Sequence, residues 1–227
     1  MKVIECDQGS PEWHRARAGV ITASMFVEVR KRLKSGPNKG DHTSAAHNYA
    51  FKLAMERISG EPMDMGEFET YAMRRGHELE PEARLLHEER LGTMIQHAGF
   101  IVSDCGRFGA SADGLINDDG GSEYKCLMAP DKIRPVLLDN DLSDYMDQIQ
   151  GCMWISGREW WHYGLYCPFL KQVGLELTVI RVHADKEYID ALHADLIQFN
   201  ALVDEYRRRL ERRGGDASSI VLGGEAA

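Results

Sequence analysis

Three short apolar runs in the middle of this 227-residue chain, at 93–103, 108–116 and 122–126, are cut apart by glycine and aspartate. Runs of that length between such breakers read as strands. Helical spacing surrounds them. Ser10-Pro11-Glu12 starts a helix running to Gly19, with serine as the cap and proline in the first helical position. A second helix begins at Thr22 or Ser24 and carries Met25, Phe26, Val29 and Leu33 at helical spacing. A third covers 42–58 and a fourth 67–90, with Pro81 expected to kink or restart it. The clearest loop is Ser35-Gly36-Pro37-Asn38-Lys39-Gly40. After the strand runs come a helix at 142–155, strands near 159–167 and 174–182, and a long charged helix at 185–212. This order predicts a single α/β domain over 1–212 with a central mixed β-sheet flanked by helices. Residues 213–227, rich in Gly, Ser and Ala, are expected to form a flexible tail.

Composition narrows the classes. A chain with 43% hydrophobic and 28% charged residues buries an ordinary core. No apolar run approaches the roughly 20 residues that cross a bilayer, so no membrane partner is expected. Met1-Lys2-Val3-Ile4-Glu5-Cys6-Asp7 lacks the apolar stretch of a signal peptide, which points to the cytoplasm. The five cysteines are scattered with no CxxC pair, which argues against an iron–sulfur cluster and for reduced, buried thiols. The net charge of −9 argues against non-specific coating of a polyanion. It does not exclude gripping one in a channel, because metal ions reverse the local sign of an acidic site. Basic residues also cluster locally, at Arg30-Lys31-Arg32-Leu33-Lys34 and Arg74-Arg75.

The chemistry concentrates in Gly109-Ala110-Ser111-Ala112-Asp113-Gly114-Leu115-Ile116, a turn, and Glu123-Tyr124-Lys125-Cys126. Side chains alternate along a strand, so Glu123 and Lys125 share a face and Tyr124 takes the other. Asp113 and Glu123, with the Tyr124 carbonyl as a further ligand, meet the needs of Mg2+, which keeps several waters and takes one or two carboxylates. Lys125 would then orient or deprotonate an attacking water, its pKa lowered by metal charge. A second ion on Asp113 would stabilise a leaving oxygen. The plain alternative is a surface hairpin with a Glu–Lys ion pair. If the two carboxylates share a face, the connection holds an odd number of residues or a bulge. A five-residue loop at 117–121, setting Ile116 opposite Ser122, is the expected register.

Three further groups stand beside this one. Arg17 arrives before a helix whose first turn carries Ser24, a natural phosphate pocket of guanidinium and helix terminus. Read blandly, Thr22 or Ser24 is an N-cap and Arg17 a surface charge. Glu80 in Gly76-His77-Glu78-Leu79-Glu80 is either another carboxylate of the site or a solvated helical charge. Gln148 either faces the site from the helix after the hairpin or is an ordinary exposed glutamine.

Taken in order, Trp-His-x-x-Arg-x-Gly-x-Ile-Thr-Ala-Ser at 13–24, Gly-x-x-x-Glu at 76–80, Ser-x-Asp-Gly-Leu at 111–115, Glu-x-Lys-Cys at 123–126 and Tyr-Met-x-Gln-x-Gln at 145–150 resemble the bacteriophage lambda exonuclease family. The resemblance covers roughly residues 10–168 and implies a restriction-endonuclease-like PD-(D/E)xK core. It implies a 5′-to-3′ exonuclease on double-stranded DNA ends, processive, releasing mononucleotides and leaving a 3′ single strand for an annealing protein. A ring-shaped homotrimer, two Mg2+ ions per site with Mn2+ as substitute, and a phage or prophage origin in a bacterial cell come with it. By the same resemblance Asp113, Glu123 and the Tyr124 carbonyl bind metal, Lys125 serves the water, and Glu80 touches metal-bound water. Arg17, Ser24, Ser111 and Gln148 hold the 5′ phosphate, and Trp13 contacts DNA. Lys34 stands where the family has an arginine entering the minor groove, and Met73 where an apolar side chain wedges between bases. Ala112 precedes Asp113 where the motif's name has proline, at a position that is no ligand. Two rival readings are an endonuclease on the same fold and a non-catalytic DNA-binding module with a relic site.

Overall fold

The computed structural model describes residues 1–64 and 70–216. The chain opens on strand β1 (Lys2–Ile4) and helix α1 (Pro11–Arg17), whose Ser10 cap accepts the Trp13 N–H. Strand β2 (Ile21–Thr22), a single 3-10 turn at 23–25 and α2 (Phe26–Arg30) follow. Then come α3 (Ser44–Ser59) and α4 (Tyr71–Leu91), each opened by a threonine cap and closed by a left-handed glycine, Gly60 and Gly92. Pro81 lies inside α4 without ending it. Strands β3 (Phe100–Val102), β4 (Phe108–Ala110), β5 (Gly114–Ile116) and β6 (Gly120–Lys125) make the middle. Helices α5 (Pro130–Asp139) and α6 (Met146–Ser156), strands β7 (Trp160–Tyr166) and β8 (Leu177–His183), and α7 (Lys186–Asp216) complete the order.

The expected α/β class with flanking helices is present, but the single central sheet is not. The strands form two mixed four-stranded sheets, ordered β1-β3-β4-β2 and β5-β6-β7-β8. The run expected as one strand at 108–116 is divided between them at Ser111-Ala112-Asp113, where Ser111 turns to the Trp13 indole of α1 and Asp113 to the Tyr124 N–H of β6. The five-residue loop is also corrected. β5 pairs with β6 so that Ile116 lies opposite Gly120 and Gly114 opposite Ser122, leaving 117–119 as the turn. Asn117 takes a left-handed φ of 51° there, and the Arg158 guanidinium donates to the carbonyls of Ile116, Asn117 and Gly120. Three is still odd, so the facing argument survives the two-residue slip.

The second helix is shorter than expected, with Leu33 outside it, and both β1 and α5 had no counterpart in the sequence reading. α7 runs past 212 to Asp216, into the expected tail; the rest of that tail, 217–227, lies outside the described residues.

Packing places the site. On one face of β7, Trp161, Tyr163 and Leu165 join Ile149 and Met153 of α6 and Leu192, Leu196 and Phe199 of α7 in the main core. On the other face, Trp160 and Tyr166 join Tyr124 of β6, Leu177 of β8 and Ala83 of α4. Each large side chain so buried contributes about 1.5–3 kcal/mol. Gly120 and Gly121 leave room for the rings of Trp160 and Trp161, which lie 2.1 and 2.2 Å from where a Cβ would stand. The β6–β7 pair is thus pinned from both sides, and its end carries the acidic residues.

Candidate active site

β6 presents Glu123 and Lys125 on one face, as strand alternation requires, and Lys125 Nζ lies 2.5 Å from Glu123 Oε1. Tyr124 points the other way, its hydroxyl 2.8 Å from His87 Nδ1 of α4. Asp113 extends the β5–β6 register: its N–H donates to the Ser122 carbonyl at 3.2 Å, and its Oδ2 accepts the Tyr124 N–H at 2.7 Å. α6 brings Gln148, whose Nε2 donates to Glu123 Oε1 at 2.6 Å. Gln148 therefore touches the carboxylate cluster, whereas the family resemblance placed it on the phosphate.

Glu80 comes from α4 and is turned inward. Burial raises its pKa, and the Glu123 charge raises it further. Asp113 is pushed well above the usual carboxylate range by burial, then by Glu123 and Glu80. The lowering expected of Lys125 depends on the charge of a bound metal; among the chain's own groups the balance runs the other way. Burial favours loss of its proton, but Glu123 and Asp113 outweigh burial and hold it above its ordinary value. Three acids thus crowd one ammonium group, and the hairpin is no surface ion pair: Asp113 and Glu123 are both buried.

This donor set suits a hard divalent cation. Glu123 Oε2 is buried with no hydrogen-bond partner, and the cluster holds more negative than positive charge. Among the described residues, no three His, Cys, Asp or Glu side chains stand close enough to hold a metal unaided. The fit therefore rests on Asp113 and Glu123 supplemented by main-chain and water oxygens, the pattern Mg2+ prefers.

The residues expected to hold a phosphate also converge. Arg17 Nη1 donates to Ser111 Oγ at 3.1 Å, and its Nη2 lies 3.5 Å from Thr22 Oγ1. Trp13 Nε1 donates to the same Ser111 Oγ at 2.8 Å, while the Arg17 guanidinium sits 4.0 Å above the Trp13 ring. Ser24 Oγ is 3.4 Å from Thr22 Oγ1. Thr22 stands at the N-cap position of the 3-10 turn, but its side chain makes no cap bond. The helix-terminus part of the pocket is corrected too: α2 has five residues and starts after a 3-10 turn, so side chains rather than a helix dipole make this pocket. No carboxylate pairs with Arg17 among the described ion pairs, and burial lowers its pKa.

One cleft of about 880 Å3 is lined by Arg17 and Ser24 together with Glu80 and Asp113. Met73, half exposed on the first turn of α4, lines it as well. Lys34 is exposed in the segment after α2 and does not line the cleft. Four residues that the sequence reading passed over hold the pocket's frame. Tyr49 bridges Thr22 N and the Val20 carbonyl, Glu56 and Arg57 grip Gly19, and His87 supports Tyr124. Only long-range packing brings these into place, and no local motif marks them.

Comparison with known proteins identifies the family and the fold. Residues 12–159 match the model of the YqaJ-like viral recombinase domain. The fold is similar to an alkaline exonuclease, LHK-Exo from Laribacter hongkongensis, at a TM-score of 0.78 and 27% identity, covering 91% of this chain and 99% of that one. The same enzyme in complex with dAMP gives 0.77 and 28% over the same shares. A phage-related exonuclease from Haemophilus somnus 129PT has the same fold at 0.60 and 15% identity, over 86% and 96%. No curated protein gives a significant match. The family resemblance read from the motifs is borne out: the chain belongs to the YqaJ-like viral recombinase family.

Proposed function

We propose that this protein is a Mg2+-dependent 5′-to-3′ exonuclease that digests one strand of duplex DNA from a 5′-phosphorylated end. The observation that carries the reading is the shared cleft, whose lining joins Arg17, Thr22 and Ser24 to Glu80 and Asp113, the two acids that interact with Glu123 and Lys125. A pocket that seats a terminal phosphate fixes the distance from the chain end to the bond that breaks, which favours release of mononucleotides. The family and the exonuclease neighbours support a nuclease, and LHK-Exo binds dAMP, a mononucleotide of the kind such a reaction releases.

In this reading Asp113, Glu123 and the Tyr124 carbonyl hold Mg2+, with Mn2+ as substitute and two ions per site. When bound, the metal supplies charge for the phosphoryl oxygens and an acidified water. The chain's own residues do the rest. Arg17, Ser24 and Ser111 seat the 5′ phosphate, and Trp13 holds Arg17 and Ser111 in place. Gln148 orients Glu123. Lys125 holds its proton at Nζ beside Glu123 and orients the nucleophilic water, and Glu80 takes hydrogen bonds from water at the cluster's edge. In the same reading Met73, which lines the cleft, wedges between terminal bases, and Lys34 touches the duplex. The family resemblance further supports a homotrimeric ring, processive digestion, and delivery of the 3′ strand to an annealing protein in a bacterial cytoplasm.

Digestion of a linear duplex, 5′-phosphorylated at one end and labelled on each strand in turn, tests this with Mg2+ or EDTA. Stepwise Mg2+-dependent loss of the phosphorylated strand with survival of its complement is expected. Internal cuts would move the protein to an endonuclease, and binding without cleavage to a non-catalytic module.

A further inference from the structure

The two halves of the phosphate pocket sit on different elements. Arg17 ends α1, while Thr22 and Ser24 follow in β2 and the 3-10 turn, and residues 18–21 join them. Gly19 is the hinge of that connection, with φ of 71°. Its peptide groups are gripped from both sides by consecutive residues of α3. Gly19 N–H donates to Glu56 Oε2 at 2.9 Å, and Arg57 Nε donates to the Gly19 carbonyl at 2.8 Å. Arg57 is in turn held by Asp204 at 3.0 Å and Asn200 at 2.9 Å on α7. A Cβ at Gly19 would stand 2.7 Å from Arg57 Cγ, so the grip closes on a bare backbone.

Glu56 does more than hold the hinge. It is only 5% exposed, and its other oxygen accepts the Met63 N–H at 3.0 Å, tying the segment after α3 to the same carboxylate. Among the described ion pairs its cation is Lys52 at 3.8 Å, beyond hydrogen-bond reach. A buried carboxylate held mainly by two backbone N–H groups is costly unless its geometry is used. Glu56 also lines the cleft and acts on the Arg17 guanidinium through space.

We propose that Glu56 is a positioning residue for recognition of the terminal phosphate: it sets the Gly19 hinge, and so the spacing of Arg17 from Thr22 and Ser24. The proposal rests on the phosphate-pocket reading above. A rigid arginine fork loses its advantage on a phosphate when its distance to the hydroxyl partners drifts, because both must be met at once. Thr22 is held independently by Tyr49, so loss of the clamp moves the Arg17 side of the pocket relative to a fixed partner.

The test compares cleavage rates on duplexes ending in 5′-phosphate and in 5′-hydroxyl for the wild type, Glu56→Gln and Glu56→Ala, with folding followed by circular dichroism. Glu56→Gln keeps the shape and one acceptor, so it remains informative if the alanine variant fails to fold. The phosphate-to-hydroxyl rate ratio is expected to fall about tenfold in Glu56→Ala and by a smaller factor in Glu56→Gln, with KM for the phosphorylated end rising more than kcat falls. Equal slowing on both ends, with the ratio intact, would show a purely structural residue and overturn the proposal. A wild type that cuts both ends at one rate would instead overturn the pocket itself, and the clamp with it.

Discussion

At the scale of single residues, the acidic cluster sets stability against chemistry. Asp113 is buried beside Glu123 and Glu80, with Lys125 as the cation among them, and its carboxyl is driven well above the usual range. A carboxylate with a raised folded pKa disfavours the folded state once it is ionised, so removing its charge relieves the fold. Asp113→Asn keeps an oxygen for the Tyr124 N–H and is expected to raise the melting temperature of the metal-free protein while abolishing cleavage. A rise of about 2–4 °C for each kcal/mol released is the scale for a domain of this size. An unchanged or lower melting temperature would mean that Asp113 is already compensated in the fold. Lys125→Ala separates the other way. It removes no metal ligand and no group of the phosphate pocket, so DNA binding in a gel-shift assay should persist while cleavage falls by roughly 10²–10⁴-fold. Turnover at the wild-type rate would strip Lys125 of its part in handling the water.

Between elements, the joint of α4 with β6 and β7 is built on neutral histidines. His87 of α4 bridges the Tyr124 hydroxyl of β6 and His162 Nδ1 of β7, at 2.8 and 3.1 Å. Both rings are pushed down to about 4 from 6.5, by burial first and then by neighbouring positive charge. With folded pKa values below the unfolded ones, the unfolded chain takes up protons first as pH falls. The joint's contribution is therefore fully present above about 6.5 and lost progressively toward 4. Melting temperatures recorded from pH 7 to pH 4.5 should drop, and His162→Phe should flatten that drop; an unchanged slope would place the acid sensitivity elsewhere. This joint was invisible in the sequence, because residues 87, 124 and 162 are brought together only by the sheet. What local rules govern was legible: the Ser10 and Pro11 helix start, the glycine-closed helices, and the alternation that puts Glu123 and Lys125 on one face. What packing decides was not. The two-residue register slip follows from a tight turn at Asn117 under the Arg158 guanidinium, and the division of the sheet from the partners that Ser111 and Asp113 find. The clamp of Glu56 and Arg57 on Gly19 spans nearly forty positions of chain and leaves no mark in any local pattern.

For the whole molecule, the proposed function requires a chain of net charge −9 to stay on DNA. An enzyme that rebinds at every step relies on phosphate contacts, and each contact released to counterions weakens binding as salt rises; six to ten of them lose about 10³–10⁵ in affinity between 50 and 200 mM. A ring closed around the duplex escapes this, because leaving requires the ring to open or the strand to end. The two designs differ in which step feels salt. In the ring, loading on an end is salt-sensitive and the run that follows is not; in the open enzyme both are. The ring reading therefore predicts a mass about three times the 25.6 kDa protomer by light scattering. It also predicts that digestion of a preloaded labelled duplex, started with Mg2+ alongside excess unlabelled competitor, continues for long runs whose length changes little between about 50 and 200 mM salt. A protomer-sized particle whose runs stop when the competitor is added would rule out encirclement, and the duplex would then have to be held by the cleft's own few basic groups, Arg17 foremost among them.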